Sequence, residues 1–387
     1  MMAVTLTTAE KALKDIYLSV VTDQLNLNSN PLYNRIKTST NYVSGKDVVK
    51  LVRVGVNGGV GAGSEDGNLP SASGNRYVRF QSPLKNLFGQ LEISDKAVLA
   101  SNASAGAFVN LLNDEMEGLL KASKYHFSRM LFGDGTGTLA TAVNGGVDGV
   151  MVDSLTNLAE GMVVDVLDPA TGLPIVNGER RTITSITREV GHVTLVGSGT
   201  LNVSSGHLLA LQGSYKHELT GLEALFQSGA LYGVDRTANP WMKANKATVA
   251  AISDNEIQLQ MDKIDERSGG AVDFIVCSYD VRRAYVNYLA QNSRNLDVLS
   301  LEGGHKAISF AGIPVYADRF CSPKTMYLLD TSAFALHQLC DWRWMEDTNG
   351  HILHQVNGKP MYTATLVKYA ELMCDKPAAQ AKLTFTA

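Results

Sequence analysis

A chain of 387 residues, 45% hydrophobic and 19% charged, is long enough for two or three domains and apolar enough to bury real cores. Its formal net charge of −4 lacks the basic surplus of a protein whose main work is gripping a phosphate backbone, so any DNA partner is expected to be enclosed without sequence-specific binding. Cys277, Cys321, Cys340 and Cys374 form no dense disulfide framework, and no apolar stretch approaches the ~18–20 residues that cross a bilayer, which points to a soluble chain made in a reducing cytoplasm and without a membrane role.

Residues 9–25 place Leu13, Ile16, Tyr17, Val20 and Val21 at helical spacing, and residues 26–31 break the pattern before Pro31. One short amphipathic helix cannot build a core alone, so this segment reads as an arm that lies on something else. Two strand-like runs follow, at residues 48–56 and 76–81; in the second, Val78 and Phe80 share one face while Tyr77 and Arg79 share the other. Between them lies a glycine-rich stretch with Gly58, Gly59, Gly61, Gly63 and Gly67, too long for an ordinary connection and therefore read as a functional loop at a ribbon tip. A two-stranded ribbon is marginal alone in water and implies a partner surface.

Residues 101–132 carry Phe108, Leu111, Leu112, Met116, Leu119, Leu120, Phe127, Met130 and Leu131 at spacings of three and four, which predicts a helix of about 30 residues and ~45 Å. It stops at Gly133-Asp134-Gly135. From 144 to 212, short apolar runs at 162–167, 182–186, 192–196 and 207–211 alternate with turn residues, which predicts a small all-β unit, a barrel or sandwich. Beyond it, helices are expected at 253–266 and 279–289, and strands at 273–277, 307–310, 314–316, 326–329, 363–373 and 382–386. Asn349-Gly350 and Asn357-Gly358 read as hairpin turns.

Signals for chemistry are weak. The glycine-rich stretch is followed by a strand and lacks the Lys-Ser/Thr of a phosphate loop, and no Gly-x-Ser-x-Gly occurs. His337, Cys340, His351 and His354 are residue types that suit zinc, but strand positions three apart point to opposite faces. No catalytic residue, metal or cofactor is therefore assigned.

The order of parts, together with Phe310-Ala311-Gly312-Ile313-Pro314-Val315-Tyr316-Ala317-Asp318 and Ser322-Pro323-Lys324-Thr325-Met326-Tyr327-Leu328-Leu329-Asp330, resembles the major capsid proteins of tailed bacteriophages with the Hong Kong 97-like fold. The segment from Asn30 to Ile36 is also of a type common in their arms. The resemblance implies an α+β fold divided into an N-terminal arm (1–45), an E-loop ribbon (46–82), a P-domain with its spine helix (83–143), an inserted β domain (144–215), an A-domain (216–361) and P-domain return strands (362–387). It further implies a structural, non-enzymatic protein of the virion capsid, made in the bacterial host cytoplasm. Copies would assemble as hexamers and pentamers around double-stranded DNA, with scaffolding, portal and decoration proteins as partners. No long helical scaffolding prefix is visible, so scaffolding would be supplied separately or removed.

Candidate intersubunit contacts under this reading are Arg53, Gly58, Gly59, Gly61, Gly63, Arg76 and Arg79 on the ribbon, with Asn295, Gly303 and Gly304 in an axial loop at 292–306. Some relatives cross-link through an E-loop lysine; here Lys46 and Lys50 lie near the ribbon base and the tip has none, so no cross-linking is expected. Three other readings compete: an encapsulin-like compartment shell, a metal-dependent enzyme using the His/Cys cluster, and a tail or surface-binding protein.

Overall fold

The structure is a computed structural model that describes residues 30–96, 105–291, 298–300, 306–346 and 350–386. The arm helix expected at 9–25 lies outside the described residues. The described chain begins with Asn30, whose side chain accepts the Leu32 N–H at 2.8 Å, and a short turn that buries Leu32, Tyr33 and Ile36.

The two ribbon strands are Asp47–Val54 and Arg76–Pro83, antiparallel in unbroken register from Asp47 opposite Pro83 to Val54 opposite Arg76. The chain then turns directly into Lys85–Ser94, a strand that sequence patterning did not reveal. This strand pairs over ten residues with Met361–Cys374, which pairs on its other edge with Phe334–Trp344 and, farther along, with His354–Gln355. Lys37–Ser39 adds a parallel strand at the far side of Phe334–Trp344.

That topology corrects one expectation. Phe334–Trp344 and His354–Gln355 both run antiparallel to Met361–Cys374 along the same edge, because Lys85–Ser94 fills the other. The two strands that flank the expected Asn349-Gly350 turn are therefore collinear and do not form a hairpin with each other, and Asn349 itself lies outside the described residues. Asn357-Gly358 does turn a hairpin: the Lys359 N–H reaches the Val356 carbonyl at 3.1 Å and Gly358 adopts φ +74°.

The long helix runs from Ala105 to Met130, about 39 Å at 1.5 Å per residue. Met116, Leu120, Ser123, Phe127 and Met130 form its buried stripe. It crosses the sheet at Gly89, where a Cβ would stand 3.1 Å from the Leu119 methyl, so the missing side chain permits the close crossing. Near its C-terminal end the fully buried Arg129 makes a two-point ion pair with Glu218, with one arm, Nη1 to Oε2, at 2.8 Å. Leu222 N–H then binds the Leu131 carbonyl at 2.8 Å and ties the returning chain to the helix end.

Residues 138–211 form a closed six-stranded antiparallel barrel, in the order Arg181–Thr187, His192–Val196, Gly149–Val152, Thr138–Asn144, Leu208–Leu211, Val163–Leu167 and back to the first. Val164, Val166, Ile183, Val193, Leu195 and Leu209 fill it as a separate core. The chain enters and leaves on adjacent strands, with Ala140 opposite Leu209.

The remaining sheet has seven strands, in the order Asn245–Val249, Ala381–Phe385, Thr325–Leu329, Phe274–Cys277, Ile313–Ala317, Lys306–Phe310 and Val298–Ser300. Its centre is apolar at every position because both faces are covered. Phe274, Val276, Tyr327 and Leu329 point into the main core, while Ile275, Cys277, Met326 and Leu328 pack with the helices Asp254–Ser268 and Tyr279–Gln291. Ser253 caps the first of these helices by accepting the Glu256 N–H at 3.3 Å, the Ser-x-x-Glu pattern of a helix start.

Candidate assembly surface

The ribbon is held rigidly at its base. Phe80, fully buried, stacks on Trp241 at 6.2 Å and 6° and lies 5.7 Å from the Tyr232 ring. The Gln81 N–H donates to the Tyr232 carbonyl at 3.0 Å, and the Tyr232 hydroxyl accepts the Cys374 N–H at 3.1 Å. Burial pushes that phenol well above its ordinary pKa, so it stays neutral. Lys50 pairs with Asp375 and lies 5.2 Å over the Tyr42 ring. These contacts join both ribbon strands to Met361–Cys374 and to the segment carrying Tyr232 and Trp241.

Farther out the two faces of the ribbon part company. Val48, Val52, Val78 and Phe80 point inward, as the alternation in sequence predicts. On the outer face Leu51 stands opposite Arg79 and Arg53 opposite Tyr77. Directly opposed residues share a face, so these four side chains form one patch. Leu51 is 67% exposed and Tyr77 58%. Arg53 and Arg79 are exposed as well, and neither has an ion-pair partner among the described residues. Arg76, opposite Val54, is on the other face and does not join this patch. Sequence alternation places Tyr77 beside Arg79, but neither Tyr77 nor Leu51 is among the contact candidates read from the sequence, although both fall on the same alternating positions as the two arginines.

At the tip, Val56, Val60 and Leu69 are almost fully exposed. Backbone freedom is not what Gly58, Gly59, Gly61 and Gly63 supply here, because none has positive φ. They let two limbs of the loop approach: a Cβ on Gly59 would meet the Ser73 nitrogen at 3.2 Å, and one on Gly61 would meet the Pro70 ring at 3.1 Å. The Asn57 side chain clips the base of the tip by accepting the Gly59 N–H at 2.9 Å and donating to Asn75 at 3.3 Å.

Asn295, Gly303 and Gly304 lie outside the described residues. The segments flanking them, Tyr279–Gln291 and Lys306–Phe310, belong to one edge of the seven-stranded sheet and its covering helix.

The four zinc-type residues have separate surroundings. Nδ1 of the buried His337 lies 3.0 Å from the Asn41 carbonyl oxygen, and Nε2 of His354 lies 3.3 Å from that of Met345. Two bulges separate His337 from the end of its strand, so Cys340 falls opposite Tyr369 and His337 opposite Glu371. Among the described residues, no three His, Cys, Asp or Glu side chains are grouped to hold a metal ion.

Three ionisable groups line the spine and its sheet. Lys368, with no exposed surface, donates to Asp341 at 2.6 Å and to Gln338 at 3.0 Å, and sits 5.3 Å over the Phe127 ring; burial lowers its pKa. Burial pushes the Glu371 carboxyl up to about 7, opposed by the Thr220 N–H that it accepts at 3.0 Å. Burial, aided by Arg129, pulls the His126 imidazole down to about 4. Lys368 and Glu371 belong to the interior, and His126 is partly buried beside them on the spine.

No protein-family model and no curated protein matches the chain. Among solved structures it is similar to the capsid asymmetric unit of cyanophage A-1(L), at 12% identity over 95% of this chain and 93% of that one, with a TM-score of 0.54. A native GTA particle capsid is similar at 13% identity, 92% and 90% coverage and a TM-score of 0.47. The holo-SrpI encapsulin complex of Synechococcus elongatus is similar at 10% identity, 94% coverage of both chains and a TM-score of 0.45. The first of these likenesses shows the fold: a long ribbon, a spine helix against a long-stranded sheet and a compact α/β unit, the Hong Kong 97-like arrangement.

Proposed function

We propose that this chain is a major capsid protein, a non-enzymatic subunit that builds the icosahedral head of a tailed phage around double-stranded DNA. The observation that carries the reading is the outer ribbon patch of Leu51, Arg53, Tyr77 and Arg79, held out from an anchored base and left exposed among the described residues. Burying one such apolar side chain contributes roughly 1.5–3 kcal/mol, and covering a large exposed apolar group favours a standing partner surface. A neighbouring copy supplies that surface, with the arginines meeting its carboxylates. Hexamers and pentamers built from one sequence require head-to-tail contacts of this kind.

In this reading residues 46–82 are the E-loop, with Gly58, Gly59, Gly61 and Gly63 shaping its tip, and Arg76 reaching a second neighbour from the opposite face. Residues 83–143 and 362–387 are assigned to the P-domain and residues 216–361 to the A-domain, with two exchanges set by strand pairing: Phe334–Trp344 joins the P-domain sheet and Ala381–Phe385 the seven-stranded sheet. The loop with Asn295, Gly303 and Gly304 is the axial contact. The barrel, whose entry and exit strands are paired neighbours, corresponds to the insertion expected at 144–215, with its first strand Thr138–Asn144 moving the start into the expected P-domain, and it decorates the particle or adds contacts. Scaffolding, portal and decoration proteins complete the partners, and the net charge of −4 suits a wall around DNA better than a DNA grip.

Negative-stain microscopy with sedimentation, on the chain alone and with candidate scaffolding proteins, tests the proposal. Rings, tubes or closed shells are expected. A monodisperse monomer or dimer in every condition refutes it, and shells packed with protein in place of DNA move the reading to a compartment.

A further inference from the structure

A pocket of about 440 Å³ opens where the ribbon base, the turn after the spine helix and the chain leaving the barrel meet. Arg236, only 3% exposed, lines it, one residue beyond the small hairpin of Ala230–Leu231 and Val234–Asp235. Backbone carbonyls hold its guanidinium: Nε donates to Gly229 at 2.8 Å, and Nη1 donates to Ala224 at 3.0 Å and to Leu225 at 2.8 Å. Nη2 has no acceptor among the described residues, and no carboxylate among them pairs with the group. Burial lowers its pKa, as follows when a positive charge leaves water without a counter-ion.

The rest of the lining offers further donors. Ser82, 6% exposed on the ribbon strand Arg76–Pro83, has a hydroxyl with no hydrogen-bond partner among the described residues, and so does the exposed Ser228. Lys216, exposed at the rim, adds a second positive charge. Asp134 is the one carboxylate in the lining, and its Oδ1 already accepts the Thr136 N–H at 2.9 Å and the Thr136 hydroxyl at 2.6 Å. Two cations against one carboxylate leave a positive surplus around a buried guanidinium.

We propose that this pocket binds one small oxyanion of the phosphate class, with the Arg236 guanidinium as its anchor. Charged oxygens accept from guanidinium and hydroxyl donors more strongly than neutral acceptors do, and an anion here neutralises a charge that its own chain leaves unpaired. The space admits a phosphate with water beside it. The two most buried donors, Ser82 and Arg236, come from the ribbon and from the segment behind the hairpin, so an occupant ties these two parts together. The site belongs to the single subunit and does not rest on its assembly into shells.

Isothermal titration of the purified full chain with sodium phosphate, at an ionic strength held constant with chloride, tests this. Saturable binding of one phosphate per chain is expected, weakened at least tenfold by Arg236→Gln and at least threefold by Lys216→Gln. If Arg236→Gln does not fold, as judged by circular dichroism, Ser82→Ala takes its place, with at least a threefold loss expected. Sodium acetate should bind at least tenfold more weakly than phosphate, because it brings a single charge and two oxygens in one plane. The absence of saturable heat, equal affinity in wild type and variants, or acetate binding as tightly as phosphate each overturns the proposal.

Discussion

The ribbon and the barrel are made from the same local material, short strands with alternating apolar residues, yet only the barrel completes itself. Each of its six strands is paired on both edges, and its inward residues meet one another as a core. Ribbon strands pair with each other and bury one face only near the base, leaving Leu51 and Tyr77 on the outside. Closure removes exposed edges and supplies the partner face internally. An open pair has to find that face elsewhere: on the body at its base and, in the proposed assembly, on a neighbouring copy along its length.

The largest effects are expected where each region depends on its core. Phe80→Ala removes the ring that stacks on Trp241 and should lower stability by about 3–5 kcal/mol, with a change in Trp fluorescence as the indole loses its cover. Leu195→Ala in the barrel should cost about 2–5 kcal/mol while leaving the Trp241 environment intact. Urea unfolding followed by fluorescence reads both. If both variants perturb Trp241 alike, the two regions are not energetically separate.

Next in size is a pH effect at the sheet that anchors the ribbon. The Glu371 carboxyl titrates at about 7 in the folded chain against 4.5 for the free group, so the folded state holds the proton more tightly. Its contribution to stability is therefore present below pH ~4.5 and is lost as pH rises through ~7, by about 3 kcal/mol in all. His126, lowered from 6.5 to about 4, acts in the opposite sense and loses stability as pH falls from ~6.5 to ~4. Comparing wild type with Glu371→Gln isolates the first effect: the stability difference should shift against wild type by about 3 kcal/mol between pH 4.5 and 7.5. A difference that stays constant with pH would remove Glu371 as a buried titrating group.

Smaller again in stability, though not in consequence, is removal of residues 58–67. The tip contributes no residue to the cores, so the unfolding free energy should move by no more than ~0.5 kcal/mol, while closed shells no longer form in microscopy. Normal particles from this variant would end the role assigned to the tip. Arg79→Ala should likewise leave subunit stability within ~0.5 kcal/mol, because the side chain is exposed and has no ion-pair partner among the described residues. A loss of shell yield at elevated salt, measured by sedimentation, would show where that arginine acts.

Much of the layout was legible without coordinates, for identifiable reasons. The spine helix announced itself through apolar residues three and four apart, and the barrel strands through short runs between turn residues. The strand Lys85–Ser94 was not recognised although Leu87, Leu91 and Ile93 alternate perfectly, because Gly89 interrupts the series. Phe334–Trp344 was harder, since register shifts near Gln338, Cys340 and Arg343 break its period of two. Of the assembly candidates, Arg76 falls on the opposite face from Arg79 by strand alternation alone, whereas Arg53 and Arg79 sharing a face is a consequence of register that sequence spacing across the loop of residues 55–75 cannot supply.

By itself the sequence determined where the helices and most strands form and which face of each is apolar, wherever short-range periodicity and turn chemistry run unbroken, as they do not in Lys85–Ser94 and Phe334–Trp344. It also determined that the ribbon would be long and its tip rich in glycine. Only the tertiary structure decided that six of the strands close into a barrel, that the central sheet is covered on both faces, and that Lys368 and Glu371 are interior while Leu51 and Tyr77 are not. Burial is a property of what packs above a residue, and those neighbours come from distant parts of the chain: Gln338 and Phe127 for Lys368, Thr220 for Glu371, and for the outer ribbon face no neighbour among the described residues.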